Sequence, residues 1–170
     1  MRFERAEPVW PAGLESKMNI TCAFRARFCR ENAGSYVLRL TASCLYRAWL
    51  NGGFLGYGPA RAAHGYFRID EWNMDPLLQK GQNRLYIEVA GYHVNSFYTL
   101  DQTSFLQAEI LRDGQALLYT SESGDFACRA VSERLRKIQR YSYQRPFAEV
   151  WSLTPDYRER EDSLPLKAQA

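Results

Sequence analysis

The sequence predicts an all-β protein, an antiparallel β-sandwich of the jelly-roll kind, and three observations carry that prediction. Short stretches of alternating apolar and polar residues recur along most of the chain, the period of strands with one face on a core. Turn-forming pairs separate them, Asn51-Gly52 and Asp113-Gly114 being the tightest. No long stretch carries helical period; Arg134 to Tyr141 comes nearest and is too short to decide. With 170 residues, 46% of them hydrophobic and 24% charged, the chain is large enough for one buried core and too apolar for disorder.

Residues 1–18 contain Pro8, Pro11 and Gly13 without periodicity and read as an irregular lead-in, with Trp10 plugging the edge of the core. The sandwich domain spans 19–153. Its first strand alternates Cys22, Phe24, Ala26 and Phe28 with Ala23, Arg25, Arg27 and Cys29, and Glu31-Asn32-Ala33-Gly34 turns the chain. Tyr36, Leu38, Leu40 and Ala42 then begin an alternation whose parity continues through Cys44, Tyr46, Ala48 and Leu50. One strand of that length would be unusual, so the small residues Ala42-Ser43-Cys44 read as a bend between two. Asn51 and Gly52 tolerate the positive φ of a tight hairpin turn, and Phe54 to Tyr57 returns as the next strand. Gly56, Gly58 and Pro59 end it, and an apolar run from Tyr66 to Ile69 stops at Asp70-Glu71.

Asp75-Pro76 opens a short helical turn through Leu78, aspartate suiting the cap and proline the first helical position. Lys80 to Asn83 is a turn, after which Leu85, Ile87 and Val89 face inward. Phe105 to Arg112 pairs through Asp113-Gly114 with Gln115 to Tyr119, and Ser121 to Asp125 is a polar loop. Phe126–Ala130, Ile138–Tyr141 and Phe147–Trp151 are short strand candidates. Residues 154–170 are polar and aperiodic, and read as a linker or frayed tail.

Several function classes fall away on composition. A net charge of +3 gives no argument for nucleic acid. The arginine-rich stretch from Arg129 to Arg145, with Tyr141 and Tyr143 interleaved, reads as a solvated or interdomain face rather than a phosphate grip. Cys22, Cys29, Cys44 and Cys128 form no CxxC pair and there are two histidines, so neither a structural zinc nor a cofactor is expected. The thiols read as reduced, small hydrophobes. Asp70, Asp75 and Asp101 lack calcium-loop spacing, and His64 and His93 have no nucleophile in motif context. The N-terminus has no apolar signal core and no run reaches transmembrane length, so a cytoplasmic location without a membrane partner is the default. On that default the sequon Asn19-Ile20-Thr21 carries no glycan.

The runs YRAWLNGGFLGYGPARAAHGYFRIDEW (46–72), LLQKGQNRLYIEVAGYHVNSFYTLDQTSFLQAEI (77–110) and IQRYSYQRPFAEVW (138–151) together resemble the N-terminal β-sandwich region of bacterial α-L-rhamnosidase-like glycoside hydrolases. The strand–Asn-Gly–strand pattern is also similar to galactose-binding-like jelly rolls of other glycosidases. The resemblance implies a partner, a catalytic helical-barrel domain elsewhere on the same polypeptide, and hydrolysis of terminal α-L-rhamnosyl linkages by the whole enzyme. Glycoside hydrolysis takes two carboxylic acids across the scissile bond. No position here matches the family's catalytic motif, so no catalytic residue is expected. The chain reads as a non-catalytic accessory domain that supports the catalytic domain, with carbohydrate as a further partner. A stand-alone lectin-like module is the alternative, and an enzyme complete in itself ranks third.

The segment Gly91–Asp101, GYHVNSFYTLD, joins two strands and concentrates Tyr92, His93, Asn95, Tyr98 and Asp101. Aromatic faces stack on a sugar's C–H surface, and Asn and Asp hold hydroxyls directionally. Tyr92, His93, Asn95 and Asp101, with Trp72, are therefore the candidate sugar-binding residues. Their other reading is packing within the loop or against a neighbouring domain. Adjacent Asp70 and Glu71 point to opposite strand faces and are structural, while Glu88 and Glu109 are expected to pair with arginines.

Overall fold

The computed structural model describes residues 2–31 and 33–169. In chain order the strands are β1 (Val9–Pro11), β2 (Ile20–Arg30), β3 (Tyr36–Ala42), β4 (Leu45–Leu50), β5 (Gly53–Gly58), β6 (Asp70–Asn73), β7 (Gly81–Gly91), β8 (Leu106–Arg112), β9 (Gln115–Tyr119), β10 (Ala127–Ala130) and β11 (Leu166–Ala168). They form two antiparallel sheets, packed as a sandwich. One runs β11-β1-β8-β3-β6 with β9 also on β8; the other runs β10-β2-β7-β4-β5.

The core follows from the alternation. β2 and β7 pair along their whole length, from Ile20 opposite Gly91 to Arg30 opposite Gly81. That register places Cys22, Phe24, Ala26 and Phe28 beside Leu85, Ile87 and Val89, all buried. Leu38, Leu40, Leu106 and Ile110 of the first sheet face them, and none is exposed. Trp10 is fully buried, its ring 5.8 Å from that of Phe24. At Ser43-Cys44 the chain leaves the first sheet for the second, and the inward parity of β3 persists in β4. Asn51 (φ 52) and Gly52 (φ 80) make the hairpin turn, both left-handed as a primed turn needs. The Asn51 amide donates to the carbonyl of Leu77 (2.9 Å) and to Asn83 Oδ1 (2.8 Å), and its oxygen accepts from Arg84 N (2.9 Å), pinning the hairpin tip to β7.

Other segments differ from expectation. β6 begins where the apolar run ends: Tyr66 and Phe67 are 75% and 46% exposed, and Asp70 starts the strand by accepting the Tyr46 hydroxyl (2.6 Å). The 3-10 turn Asp75–Leu77 is preceded by Met74, so Asp75 is not its cap; its carboxylate accepts from Tyr36 N instead (3.2 Å). β7 starts at Gly81, inside the expected turn, because Gly81 takes the positive φ (81°) itself. Ile138–Tyr141 and Phe147–Trp151 are not strands. They make single bridges, Arg140 to Phe147 and Arg134 to Trp151, and Arg140 satisfies the carbonyls of Asn95 and Arg145 with its side chain. Within the C-terminal residues expected to be aperiodic, Leu166–Ala168 pairs with β1, and Leu164 bridges to Cys128. Three residues were too few for their alternation to be visible. In the expected turn at 31–34, Asn32 lies outside the described residues.

Candidate functional site

One end of the sandwich gathers the loops that follow β5 and β7. The 92–105 loop is built on its own polar groups. Ser96 Oγ accepts from the backbone of Tyr98 and Thr99 (both 3.0 Å), and Asn95 Oδ1 accepts from Asp101 N (2.9 Å). His93 Nε2 donates to the Glu15 carbonyl, and Nδ1 lies 3.2 Å from Asp101 Oδ1. His93, Asn95 and Asp101 thus hold the loop's shape. Trp72 faces inward: its indole donates to the Tyr46 hydroxyl (2.8 Å), and a Cβ on Gly56 would stand 2.5 Å from its ring. Tyr92 is buried between Phe147, at 6.4 Å, and the Arg134 guanidinium, at 5.8 Å.

The loops are tied to one another. Phe97 N donates to the Gln144 carbonyl (3.1 Å), Arg140 holds the Asn95 carbonyl (3.0 Å), and Arg61 stacks on Tyr98 at 4.6 Å. What they present outward is aromatic. Tyr66, Phe67, Phe97, Tyr98, Tyr141 and Tyr143 are all exposed, the last two at 87% and 74%.

The outer face of the second sheet is covered by residues 131–161. Trp151 and Tyr157 pack on an apolar cluster of Ala23, Trp49, Tyr86 and Val131. Buried carboxylates tie the cover down. Glu88 accepts from Arg47 (3.0 Å), Tyr86 (3.2 Å) and Tyr157 (2.9 Å), and Glu133 accepts from Arg129 (3.1 Å) and Arg160 (2.6 Å). Glu109, in the first sheet, pairs with Arg39 (3.0 Å) and accepts from the backbone of Glu4, Arg5 and Ala6. The arginine-rich stretch is therefore in part interior: Arg129 and Arg134 are buried, against the expected solvated face. Asn19 is buried as well, its amide shared between the Arg136 carbonyl and Arg134 (both 2.8 Å), which removes it as a glycan acceptor.

Beside this cover, close to the aromatic end, lies a cavity of about 250 Å³. Leu45, Phe54 and Tyr57 of β4 and β5 form its apolar wall, Tyr92 its base, and Arg47, Arg134, Glu88 and Glu149 its polar rim. Of the five residues singled out in the sequence, Tyr92 alone lines it. The others it uses come from separate strands and from residues 134 and 149, so no local pattern announces them. Exposed Tyr57 and Phe54, flanking the glycines of the hairpin's return strand, were the one visible signal.

In its fold the chain matches a GH78 family rhamnosidase of Bacillus sp. GL1 with a TM-score of 0.88 and 25% identity, over 99% of this chain and 18% of that one. Its fold is that of a rhamnosidase domain. An α-L-rhamnosidase from Aspergillus terreus aligns over 98% of this chain and 21% of its own, with a TM-score of 0.69 and 17% identity. The chain thus spans about a fifth of the length of the rhamnosidases it matches. A lectin from Pleurotus ostreatus, solved with GalNAc, shares the fold over 99% of this chain and 46% of its own, at a TM-score of 0.53 and 14% identity. No family model and no curated protein matches the sequence. Among the described residues no helix is long and apolar enough to cross a membrane.

Proposed function

We propose that the chain is a non-catalytic accessory domain of an α-L-rhamnosidase-like glycoside hydrolase, docking against that enzyme's catalytic domain. The observation that carries the reading is the aromatic end, where three interlocked loops hold six large rings out to solvent. Apolar patches of that kind mark contact surfaces. The occupant fits the length relation, since four-fifths of each matching rhamnosidase lies outside the matched segment. The polar residues of the 92–105 loop serve this role by keeping the rings in place. Free thiols at all four cysteines suit a reducing, cytoplasmic compartment.

The test extends the source gene's reading frame past Ala170 and assays the product on p-nitrophenyl α-L-rhamnopyranoside. Hydrolysis by the longer product, with the 170-residue chain inactive, is the expected result. A stop codon at that point overturns the reading. In the longer protein, Tyr141→Ser with Tyr143→Ser is expected to lower the melting temperature while leaving that of the isolated 170-residue chain unchanged.

A further inference from the structure

We propose that the cavity between the β4–β5 hairpin and the covering segment binds one neutral pyranose ring, independently of how the aromatic end is used. Three observations lead there. The first is the wall. Tyr57, Phe54 and Leu45 are 72%, 55% and 46% exposed on the strands that line the cavity, an apolar surface that the domain's own core does not use. A phenol face beside an open cavity suits the C–H patch of a sugar ring, which needs contact area and no charge.

The second is the rim. Arg47 is held at once by Glu88 (3.0 Å) and Glu149 (3.2 Å), and Arg134 is fixed by Asn19 (2.8 Å) over the ring of Tyr92. Two guanidinium groups and two carboxylates cancel in charge, so the rim favours neither an anion nor a cation. Arg47 and Glu149, 40% and 50% exposed, are the pair within reach, and their planar donors and acceptors match neighbouring hydroxyls. Both bonds that Glu149 accepts fall on Oε1, from Arg47 and from the Trp151 indole (3.2 Å), and its side chain is half exposed. Thr21, which also lines the cavity, is 5% exposed, and its hydroxyl has no partner among the described residues. A buried hydroxyl without a partner is costly unless something supplies one.

The third is size. A volume of about 250 Å³ lies below the roughly 300–1,000 Å³ of sites for drug-sized ligands, which suits one ring rather than a chain of them.

The experiment titrates the 170-residue chain with methyl glycosides of glucose, galactose and rhamnose, reading tryptophan fluorescence and amide chemical shifts. Trp151, hydrogen-bonded to Glu149, is the expected reporter. At least one glycoside is expected to bind saturably, with shifts centred on Tyr57, Arg47 and Glu149. Tyr57→Ala and Glu149→Gln should each weaken it at least about tenfold, a change well outside titration error. Both positions are at the surface, and a melting curve on each variant verifies the fold. Asn95→Ala, in the loop, should leave the affinity unchanged. Absence of binding by all three glycosides up to about 100 mM, near the weak limit of specific recognition, overturns the proposal. So does binding that survives Tyr57→Ala, or tighter binding of glucuronate or glucosamine than of the neutral sugars.

Discussion

Glu133 is nearly excluded from water yet ionised, and its neighbours explain why. Burial alone would push its carboxyl up, but hydrogen bonds from Arg160, its own backbone and Arg129, with the Arg129 charge beside it, hold it below the usual 4.5. The unfolded chain therefore takes up this proton at higher pH than the folded one. The pair's stabilisation is complete above the ordinary carboxylate range and is lost as pH falls through the folded value. Thermal melts followed by circular dichroism from about pH 6 to pH 3 should show the midpoint dropping, and Glu133→Gln should flatten that drop. At neutral pH the same variant leaves Arg129 buried without its partner, a loss of about 3–5 kcal/mol. The cysteines offer a second check. Burial pushes the Cys44 and Cys128 thiols up, and Cys22 and Cys128 are fully enclosed, whereas Cys29 is exposed. Cys29 should react first with a thiol reagent, and Cys22 and Cys128 only at the rate of global unfolding. Rapid labelling of either would mean that β10 opens readily. Pairing of Glu88 and Glu109 with arginines was legible in the sequence, because acids on polar strand faces need cations. The inward turn of Trp72 was not, since it depends on Gly56 lying in the opposite sheet, close enough that a Cβ would meet the ring.

At the scale of elements, the long alternations and the two hairpins could be read directly, because a half-buried strand writes its period into the sequence. The segment 131–161 could not. It covers an outer face through scattered contacts: Trp151 and Tyr157 on Trp49 and Tyr86, and the Arg158 guanidinium 4.1 Å over the Trp49 ring. Such a cover has no period to detect. Its energetic weight is nevertheless substantial. Truncation after Thr154 removes Tyr157, Arg158 and β11, and should cost at least about 3 kcal/mol in urea unfolding, since each large side chain uncovered accounts for roughly 1.5–3 kcal/mol. A truncated chain as stable as the full one would assign the cover no structural part. A smaller, local effect is expected at the hairpin tip, where Gly52→Ala meets a φ of +80° and should lose about 1 kcal/mol.

For the whole molecule, the sandwich class was legible and the cavity was not, for one physical reason. The cavity joins Thr21 of β2, Glu88 of β7 and Glu149 to the β4–β5 hairpin, pieces far apart in the chain, and sequence patterns report neighbours along it. The aromatic end was half visible. Its loop stood out by composition; Asn95 bonds back to Asp101 within the loop, and Phe97 and Tyr98 are among the rings it exposes. The pairing of β1 with β11 has a consequence for how the domain folds. Val9, Trp10 and Pro11 lie opposite Ala168, Lys167 and Leu166, whereas β8 meets β1 only at Val9 and Leu106. Closing that ladder brings together the two ends of the domain, which makes it a late step in folding, and β1 keeps one side unpaired until residues 166–168 reach it.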